Sequence, residues 1–282
     1  MNCISVKNVS YKYPYTEGFA LKELNYEFEK GKCYGIIGAN GSGKTTFCNL
    51  LRGMIPHFFE GELTGDVFIE ETDVRNWDSN LLSTKIGYIF QNPFTQISGI
   101  KETVFEEIAL GLENLGMEKE ALIDRVIEVV KLLKLEQLIK KNPNNLSGGQ
   151  KQRVAFASII AMNNDIIVID EPTSQLDPES TAEIFSIINL LRNQGKTIFL
   201  VEHKVDLIAE YSDEVIVLKD GQITLSGSTQ EVLSNMDLLQ MGVMLPQASM
   251  LSYDMQKANK QLDSIAITKS QVIEQIKQRV GV

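Results

Sequence analysis

The sequence predicts an α/β fold built around a mostly parallel β-sheet. Two observations lead to this prediction: short apolar runs of strand length alternate with segments of helical periodicity, and a glycine-rich turn joins one such run to a helix. Strands that alternate with helices are joined by crossovers, which favour parallel pairing. The expected strands are residues 4–9, 24–28, 33–37, 86–90, 166–169, 197–201 and 215–218.

A helical segment is expected to interrupt this alternation between about residues 96 and 147. From about residue 102 to 138, apolar side chains recur every three or four positions, which places them on one helix face. The residues on this face are Leu122, Val126, Val129, Val130 and Leu133. Shorter helices are expected over about 44–52 and 181–191.

We expect one α/β domain over residues 1–235, with the helical segment of about 96–147 inserted into it. Residues 236–282 are expected to form a mainly helical extension, in which 253–279 is polar and helical. A chain of 282 residues, 43% of them hydrophobic, is long enough for a large core and a small appendage.

The formal net charge of −10 argues against nucleic acid as the main partner, because an acidic chain is repelled by phosphate backbones. Cys3, Cys33 and Cys48 lack metal-ligand spacing and are expected to be small buried side chains in a reducing compartment. The N-terminus lacks the pattern of a secretion signal, and no apolar stretch approaches the roughly 18 residues that span a bilayer. We therefore expect a soluble protein whose membrane role, if it has one, is peripheral.

The glycine-rich turn matches the phosphate-binding loop pattern GxxxxGK[ST]. Glycines allow successive backbone N–H groups to converge on one anion, and the helix N-terminus that follows adds a favourable dipole. Lys44 is expected to reach the terminal phosphates of a nucleotide, and Thr45 to place its hydroxyl on Mg²⁺. The predicted nucleotide contacts are Gly38, Ala39, Asn40, Gly41, Ser42, Gly43, Lys44, Thr45 and Thr46.

Two carboxylates, Asp170 and Glu171, follow the apolar run 166–169. Ligands bind at the carboxyl ends of such central strands. Because neighbouring side chains on a strand point in opposite directions, the two acids are expected to have different roles. We assign Asp170 to Mg²⁺ and Glu171 to the water molecule that attacks the terminal phosphate.

A second glycine-rich stretch, Leu146-Ser147-Gly148-Gly149-Gln150, predicts a helix capped by Ser147 whose first turn faces an anion. This LSGGQ sequence, with the later stretch IIVIDEPTSQLDP, closely resembles the ATP-binding cassette (ABC) proteins over about residues 3–235. The resemblance implies a P-loop NTPase with a RecA-like, mostly parallel core, an antiparallel β subdomain and an inserted helical subdomain. It also implies ATP and Mg²⁺ as cofactors, and head-to-tail pairing with a second cassette. The phosphate loop of one cassette and Ser147, Gly148, Gly149 and Gln150 of the other would then enclose each ATP.

The resemblance assigns three further residues. Gln91 resembles the glutamine that contacts Mg²⁺ and senses the membrane partner, and His203 resembles the switch histidine at the γ-phosphate. Asp177 belongs to a stretch, 174–177, that communicates across the dimer, although Gln175 stands where the family usually has Ala. Tyr13 is our choice for the aromatic ring that stacks on adenine. Tyr11 and Tyr15 are rivals, since all three share one face of an extended segment, and at least one of them is expected to belong to the core.

The stretch 90–116, the sequence Glu202-His203-Lys204 and the chain length resemble energy-coupling factor transporters, which import vitamins and metal ions. Phe94 and Thr95 stand where that group has acidic residues. We expect transmembrane coupling or permease subunits to dock near residues 94–97, and the second cassette to be identical or paralogous. A motor for an amino-acid or inorganic-ion importer remains open. A soluble mechanoenzyme and an ATP-binding scaffold without turnover are less favoured alternatives.

Overall fold

The computed structural model describes residues 2–259 and 262–280. Its strands are β1 Asn2–Lys12, β2 Leu21–Glu29, β3 Cys33–Ile37, β4 Glu62–Ile69, β5 Thr72–Asp73, β6 Ile86–Ile89, β7 Ile166–Asp170, β8 Thr197–Val201, β9 Glu214–Lys219 and β10 Gln222–Ser228. Its α-helices are α1 Lys44–Leu51, α2 Met54–His57, α3 Ser79–Lys85, α4 Pro93–Gln96, α5 Val104–Asn114, α6 Lys119–Leu132, α7 Gly148–Met162, α8 Pro178–Asn193, α9 Val205–Tyr211, α10 Thr229–Leu233, α11 Gln247–Lys257 and α12 Lys269–Val280. These elements form two compact units. The first contains the described residues up to Asn76 and from Phe199 onward, and the second is Trp77–Ile198.

The first unit contains two sets of strands. An antiparallel sheet has the order β2-β1-β4-β5, and a second set has the order β10-β9-β3-β8, in which β3 and β9 are parallel. Aromatic rings form part of the core of this unit: Phe28 packs against Tyr34 and Phe199 with ring centroids 5.0 and 4.9 Å apart. Every residue of β3 is buried, as its apolar sequence predicts.

The second unit contains the parallel pair β6–β7 and the whole of the predicted helical segment. Its predicted apolar face is confirmed, since Leu122, Val126, Val129, Val130 and Leu133 are all buried. The segment contains the two helices α5 and α6, and Gly116 adopts a left-handed conformation (φ 71°) between them. Arg125 joins α6 to the end of α7 by donating to the carbonyl oxygens of Ile160 and Ala161.

The C-terminal part of the first unit is helical, with α11 and α12 packed around the buried residues Ala248, Ala266 and Val272. The expected helix over 253–279 is interrupted, because α11 ends at Lys257 and α12 begins at Lys269. In the described part of the chain, none of the helices is long and apolar enough to cross a membrane. Cys3, Cys33 and Cys48 are all buried, which confirms their predicted location. The boundary between a domain over 1–235 and an extension over 236–282 stays a prediction.

Candidate active site

The predicted phosphate loop connects β3 to α1. Gly38 and Gly43 both have positive φ angles, of 156° and 102°. A Cβ atom at Gly38 would lie 2.3 Å from the carbonyl oxygen of Leu218, and one at Gly43 would lie 2.8 Å from that of Ala20. Both positions therefore require glycine, which is a physical reason for the two glycines of the GxxxxGK[ST] motif.

Lys44, the first residue of α1, folds back over this loop. Its side-chain nitrogen donates to the carbonyl oxygens of Gly38 and Ala39, at 3.0 and 3.1 Å, and the residue is only 7% exposed. The hydroxyl of Ser42 is buried and has no hydrogen-bond partner among the described residues. A buried ammonium group and an unsatisfied hydroxyl beside a glycine-rich turn fit a phosphate group, which would accept hydrogen bonds from both.

The three tyrosines have different environments. Tyr11 is fully buried, its hydroxyl donates to the carbonyl oxygens of Phe59 and Glu60, and burial raises its pKa to about 12. Tyr15 follows the end of β1 and is fully exposed. Tyr13 is half-buried, and its hydroxyl lies 3.2 Å from that of Thr46. Tyr11 is thus the core residue among the three, and Tyr13 is the one in contact with the helix that follows the phosphate loop.

The two carboxylates at the end of β7 have different partners. Asp170 is 6% exposed and accepts a hydrogen bond of 2.9 Å from the hydroxyl of Tyr88. Glu171 leaves the strand in a left-handed conformation (φ 46°), and its carboxylate accepts from the side-chain amide of Gln91 at 2.5 Å. The structure therefore brings Gln91 to Glu171. Tyr88 was missed by sequence reasoning, although a polar residue within an apolar strand is a usable signal.

His203 follows β8 in a turn that is held by the preceding side chain. The carboxylate of Glu202, which is buried, accepts the backbone N–H groups of His203 and Lys204 at 2.9 and 3.2 Å. His203 lines a cavity of about 270 Å³ together with Gly38, Ala39 and Asn40. The structure thus places the predicted switch histidine and the phosphate loop around one cavity. The role of Glu202 in holding this turn was not foreseen.

The predicted capping role of Ser147 is confirmed. Its hydroxyl accepts the N–H of Gln150 at 3.4 Å, and the Gln150 side chain accepts the N–H of Ser147 at 3.2 Å, which is a reciprocal capping box. A Cβ atom at Gly149 would lie 2.5 Å from the hydroxyl of Ser180, so glycine is needed for the contact between α7 and α8. Gly148, by contrast, has open space within 4 Å among the described residues.

Asp177 is the N-cap residue of α8, the helix that contains Ser180. Its carboxylate accepts both the backbone N–H and the hydroxyl of Ser180, at 2.9 and 2.8 Å, and these two bonds lower the pKa of Asp177. Ser180 thus connects Asp177 to the glycine-rich turn of α7. Sequence reasoning had no signal for Ser180, because its importance depends on how two helices pack.

The predicted site residues are distributed over both compact units. Tyr13, the phosphate loop and His203 lie in the first. Gln91, Asp170, Glu171, Asp177 and the residues Ser147–Gln150 lie in the second. The candidate Mg²⁺ ligands Thr45, Gln91 and Asp170 all offer oxygen atoms, the donors that Mg²⁺ prefers.

Together, the phosphate loop and the capped LSGGQ helix define a nucleotide-hydrolysing class of protein. The family model described as ABC transporter matches residues 21–174, more than half of the chain. The chain belongs to the ABC transporter family and is an ATPase subunit of that family. This result confirms the P-loop NTPase fold, with its mixed sheet core and antiparallel sheet.

Known relatives agree with this assignment. A putative ABC transporter ATP-binding protein of Pyrococcus abyssi is 42% identical over 259 residues, covering 91% of this chain and 92% of the relative. The energy-coupling factor transporter ATP-binding protein EcfA1 of Thermotoga maritima is 40% identical over 228 residues, covering 81% and 83%. The structure of cbiO1 from Clostridium perfringens, part of the ABC transporter complex cbiONQ, superposes with a TM-score of 0.73 at 28% identity, covering 85% of this chain and 93% of cbiO1.

Replacement of Tyr13 tests the adenine contact. We expect Tyr13→Ala to weaken ATP binding about tenfold, because the stacking of a base on an aromatic ring contributes on the order of 1–3 kcal/mol. Tyr13→Phe keeps the ring and is expected to bind ATP within about twofold of the wild type. Tyr15→Ala serves as the control, and calorimetric titration with ATP gives the dissociation constants. An ATP affinity of Tyr13→Ala equal to that of the wild type would remove Tyr13 from the site.

Proposed function

We propose that this chain powers an importer of the energy-coupling factor type, which delivers vitamins or metal ions, from a peripheral position on the cytoplasmic face of the membrane. The observation that carries the proposal is the resemblance of residues 90–116 and 202–204 to that group. The 40% identity to an EcfA1 protein over most of the chain supports it. A pair of cassettes, identical or paralogous, and transmembrane coupling subunits complete the assembly.

The proposed reaction is the hydrolysis of ATP to ADP and phosphate. Lys44 and the N–H groups of the phosphate loop bind the β- and γ-phosphates and offset the charge that develops in the transition state. Glu171 orients and activates the attacking water, and His203 contacts the γ-phosphate. Thr45, Asp170 and Gln91 would hold Mg²⁺, which supplies neutralisation of phosphate charge when bound.

The hydrogen bond between Gln91 and Glu171 could couple the binding of a membrane subunit to ATP hydrolysis. Gln91 precedes α4, the segment that we propose as the docking surface, and its amide lies on the carboxylate of the proposed general base. A displacement of the Gln91 loop by a membrane partner would remove or restore this bond. Docking would thereby change the availability of Glu171 for catalysis.

Of the residues 94–97 that we expected at the docking surface, Phe94 is exposed but Ile97 is buried. Phe94 is 54% exposed and carries the Lys151 ammonium 4.2 Å from its ring centroid. Ile97, which we expected beside it at the surface, is only 9% exposed and therefore belongs to the core of its unit. The test is confined to Phe94 for this reason.

Affinity capture of the tagged chain from its native membranes tests the proposal. Energy-coupling factor assembly predicts a small transmembrane coupling protein, a second cassette and several vitamin- or ion-binding membrane subunits. We expect Phe94→Ala to lower the yield of the membrane subunits severalfold, because it removes an exposed aromatic anchor. Phe58→Ala, at a comparably exposed position, is the control. Capture of two permease subunits with an external binding protein would replace the proposal with another importer, and capture of no membrane protein would contradict a role in transport.

A further inference from the structure

The C-terminal segment returns to the phosphate loop. After α10, a short 3₁₀ helix, Met236–Met241, ends at Gly242, which adopts a left-handed conformation (φ 75°). The N–H of Val243 then donates to the carbonyl oxygen of Leu238 at 3.0 Å, which closes the end of the 3₁₀ helix. A Cβ atom added at Gly242 would lie 3.6 Å from the Cβ of Ala39, so a side chain at this position would reach the phosphate loop.

The same segment lines the cavity beside His203. Gly242, Val243 and Met244 line this space of about 270 Å³ together with residues of the phosphate loop and of the turn that carries His203. Val243 and Leu245 are buried, whereas Met244 between them is exposed. The two buried side chains anchor the segment in the core of its unit, while Met244 is exposed and also lines the cavity.

A hydrogen bond ties the segment to the helix that follows His203. The backbone N–H of Gln247, the first residue of α11, donates to the carboxylate of Asp206 at 2.9 Å. Asp206 lies in the first turn of α9, three residues after His203. The segment 242–247 thus lines the same cavity as Ala39 of the phosphate loop at one end and is hydrogen-bonded to the first turn of α9 at the other.

We propose that residues 242–247 form a strap that positions the phosphate loop and His203 for hydrolysis, with Gly242 and Asp206 as its positioning residues. The inference rests on the proposed roles of the loop and His203 in ATP hydrolysis. Neither Gly242 nor Asp206 is assigned a contact with ATP, and each would act through the phosphate loop or His203. The C-terminal segment is therefore part of the catalytic apparatus of its own chain.

Asp206 tests one end of the strap. Asp206→Ala removes the acceptor for the Gln247 N–H, and we expect the kcat for ATP hydrolysis by the purified full-length chain to fall about tenfold, with the ATP dissociation constant changed less than about twofold. Asp206→Asn retains an oxygen that can accept the same N–H and is expected to restore the wild-type kcat. A purely structural role would instead lower the melting temperature without changing kcat well below it.

Gly242 tests the other end. Gly242→Leu places a side chain against Ala39, and we expect it to weaken ATP binding severalfold and to lower kcat. Gly195→Leu is the matched control, because Gly195 also has φ 75° and a Cβ there would have open space within 4 Å among the described residues. Both variants carry the same backbone strain, so a difference between their kinetics reports the contact with the phosphate loop.

The strap would be disproved by wild-type kcat in Asp206→Ala, by an equal loss in Asp206→Asn, or by matching kinetics of the two glycine variants. The Glu171→Gln variant, measured alongside, separates this outcome from failure of the proposed hydrolytic roles. If Glu171→Gln abolishes turnover while the strap variants do not change it, the proposed function stands and the strap does not. If Glu171→Gln hydrolyses ATP normally, the proposed hydrolytic roles fail.

Discussion

Glu171→Gln is expected to lower the rate of ATP hydrolysis at least about 100-fold while ATP binding is retained, because general-base catalysis contributes on the order of 10²–10⁴ in rate. The amide cannot accept a proton from water, yet it keeps the size of the side chain. The amide oxygen can still accept the hydrogen bond from Gln91, which spans 2.5 Å in the wild type, so local structure is expected to persist. The variant should accumulate as an ATP-bound closed dimer.

Phosphate release and calorimetric ATP titration measure the two effects separately. Glu136→Gln, at an exposed position in the same unit, makes the same chemical change away from the site and is the control. Hydrolysis by Glu171→Gln at the wild-type rate would overturn the assignment of Glu171. A loss of both binding and hydrolysis would instead assign it to nucleotide binding.

Lys44→Ala is expected to weaken ATP binding about 100-fold, because removal of one partner of a buried charged hydrogen bond costs on the order of 2–5 kcal/mol. In the wild type the ammonium group is held between the carbonyl oxygens of Gly38 and Ala39, a position from which it can transfer its hydrogen bonds to phosphate oxygens. The protein should still fold, since the loop is shaped by its glycines.

Calorimetry with ATP measures this loss, and circular dichroism establishes that the fold is intact. Lys119→Ala, at an exposed position at the start of α6, removes one positive charge elsewhere and is expected to leave affinity unchanged. ATP binding by Lys44→Ala with wild-type affinity would contradict the account of the phosphate loop.

The strands that the sequence marks most clearly are the fully buried ones. β3, β7 and β8 are buried at every residue, so their continuous apolar runs mark them clearly. Strands β4 and β10 were missed because much of each is half-exposed or exposed and polar. A strand with so few buried apolar residues has a composition similar to that of a loop. β5 is only two residues long and depends on pairing with β4 for its existence.

In the site, too, features encoded by consecutive residues were predictable, whereas contacts between residues distant in the sequence were not. The loop glycines and the cap at Ser147 were predictable because their chemistry is encoded in consecutive residues. Tyr88 and Ser180 were not, because each depends on a partner brought close by folding: Tyr88 donates to Asp170, 82 positions away in the sequence. The hydrogen bond from Gln247 to Asp206 likewise spans 41 positions, which explains why the C-terminal segment looked separate from the site.

The central claim is that this chain supplies the ATP hydrolysis of a membrane transport complex. The most direct measurement is ATP hydrolysis by the complex captured through the tagged chain, with either the wild-type residue or Glu171→Gln in that chain. We predict the same membrane subunits in both preparations, and a rate at least about tenfold lower with Glu171→Gln. Equal rates from preparations of equal composition would contradict the claim, because another component would then be performing the hydrolysis.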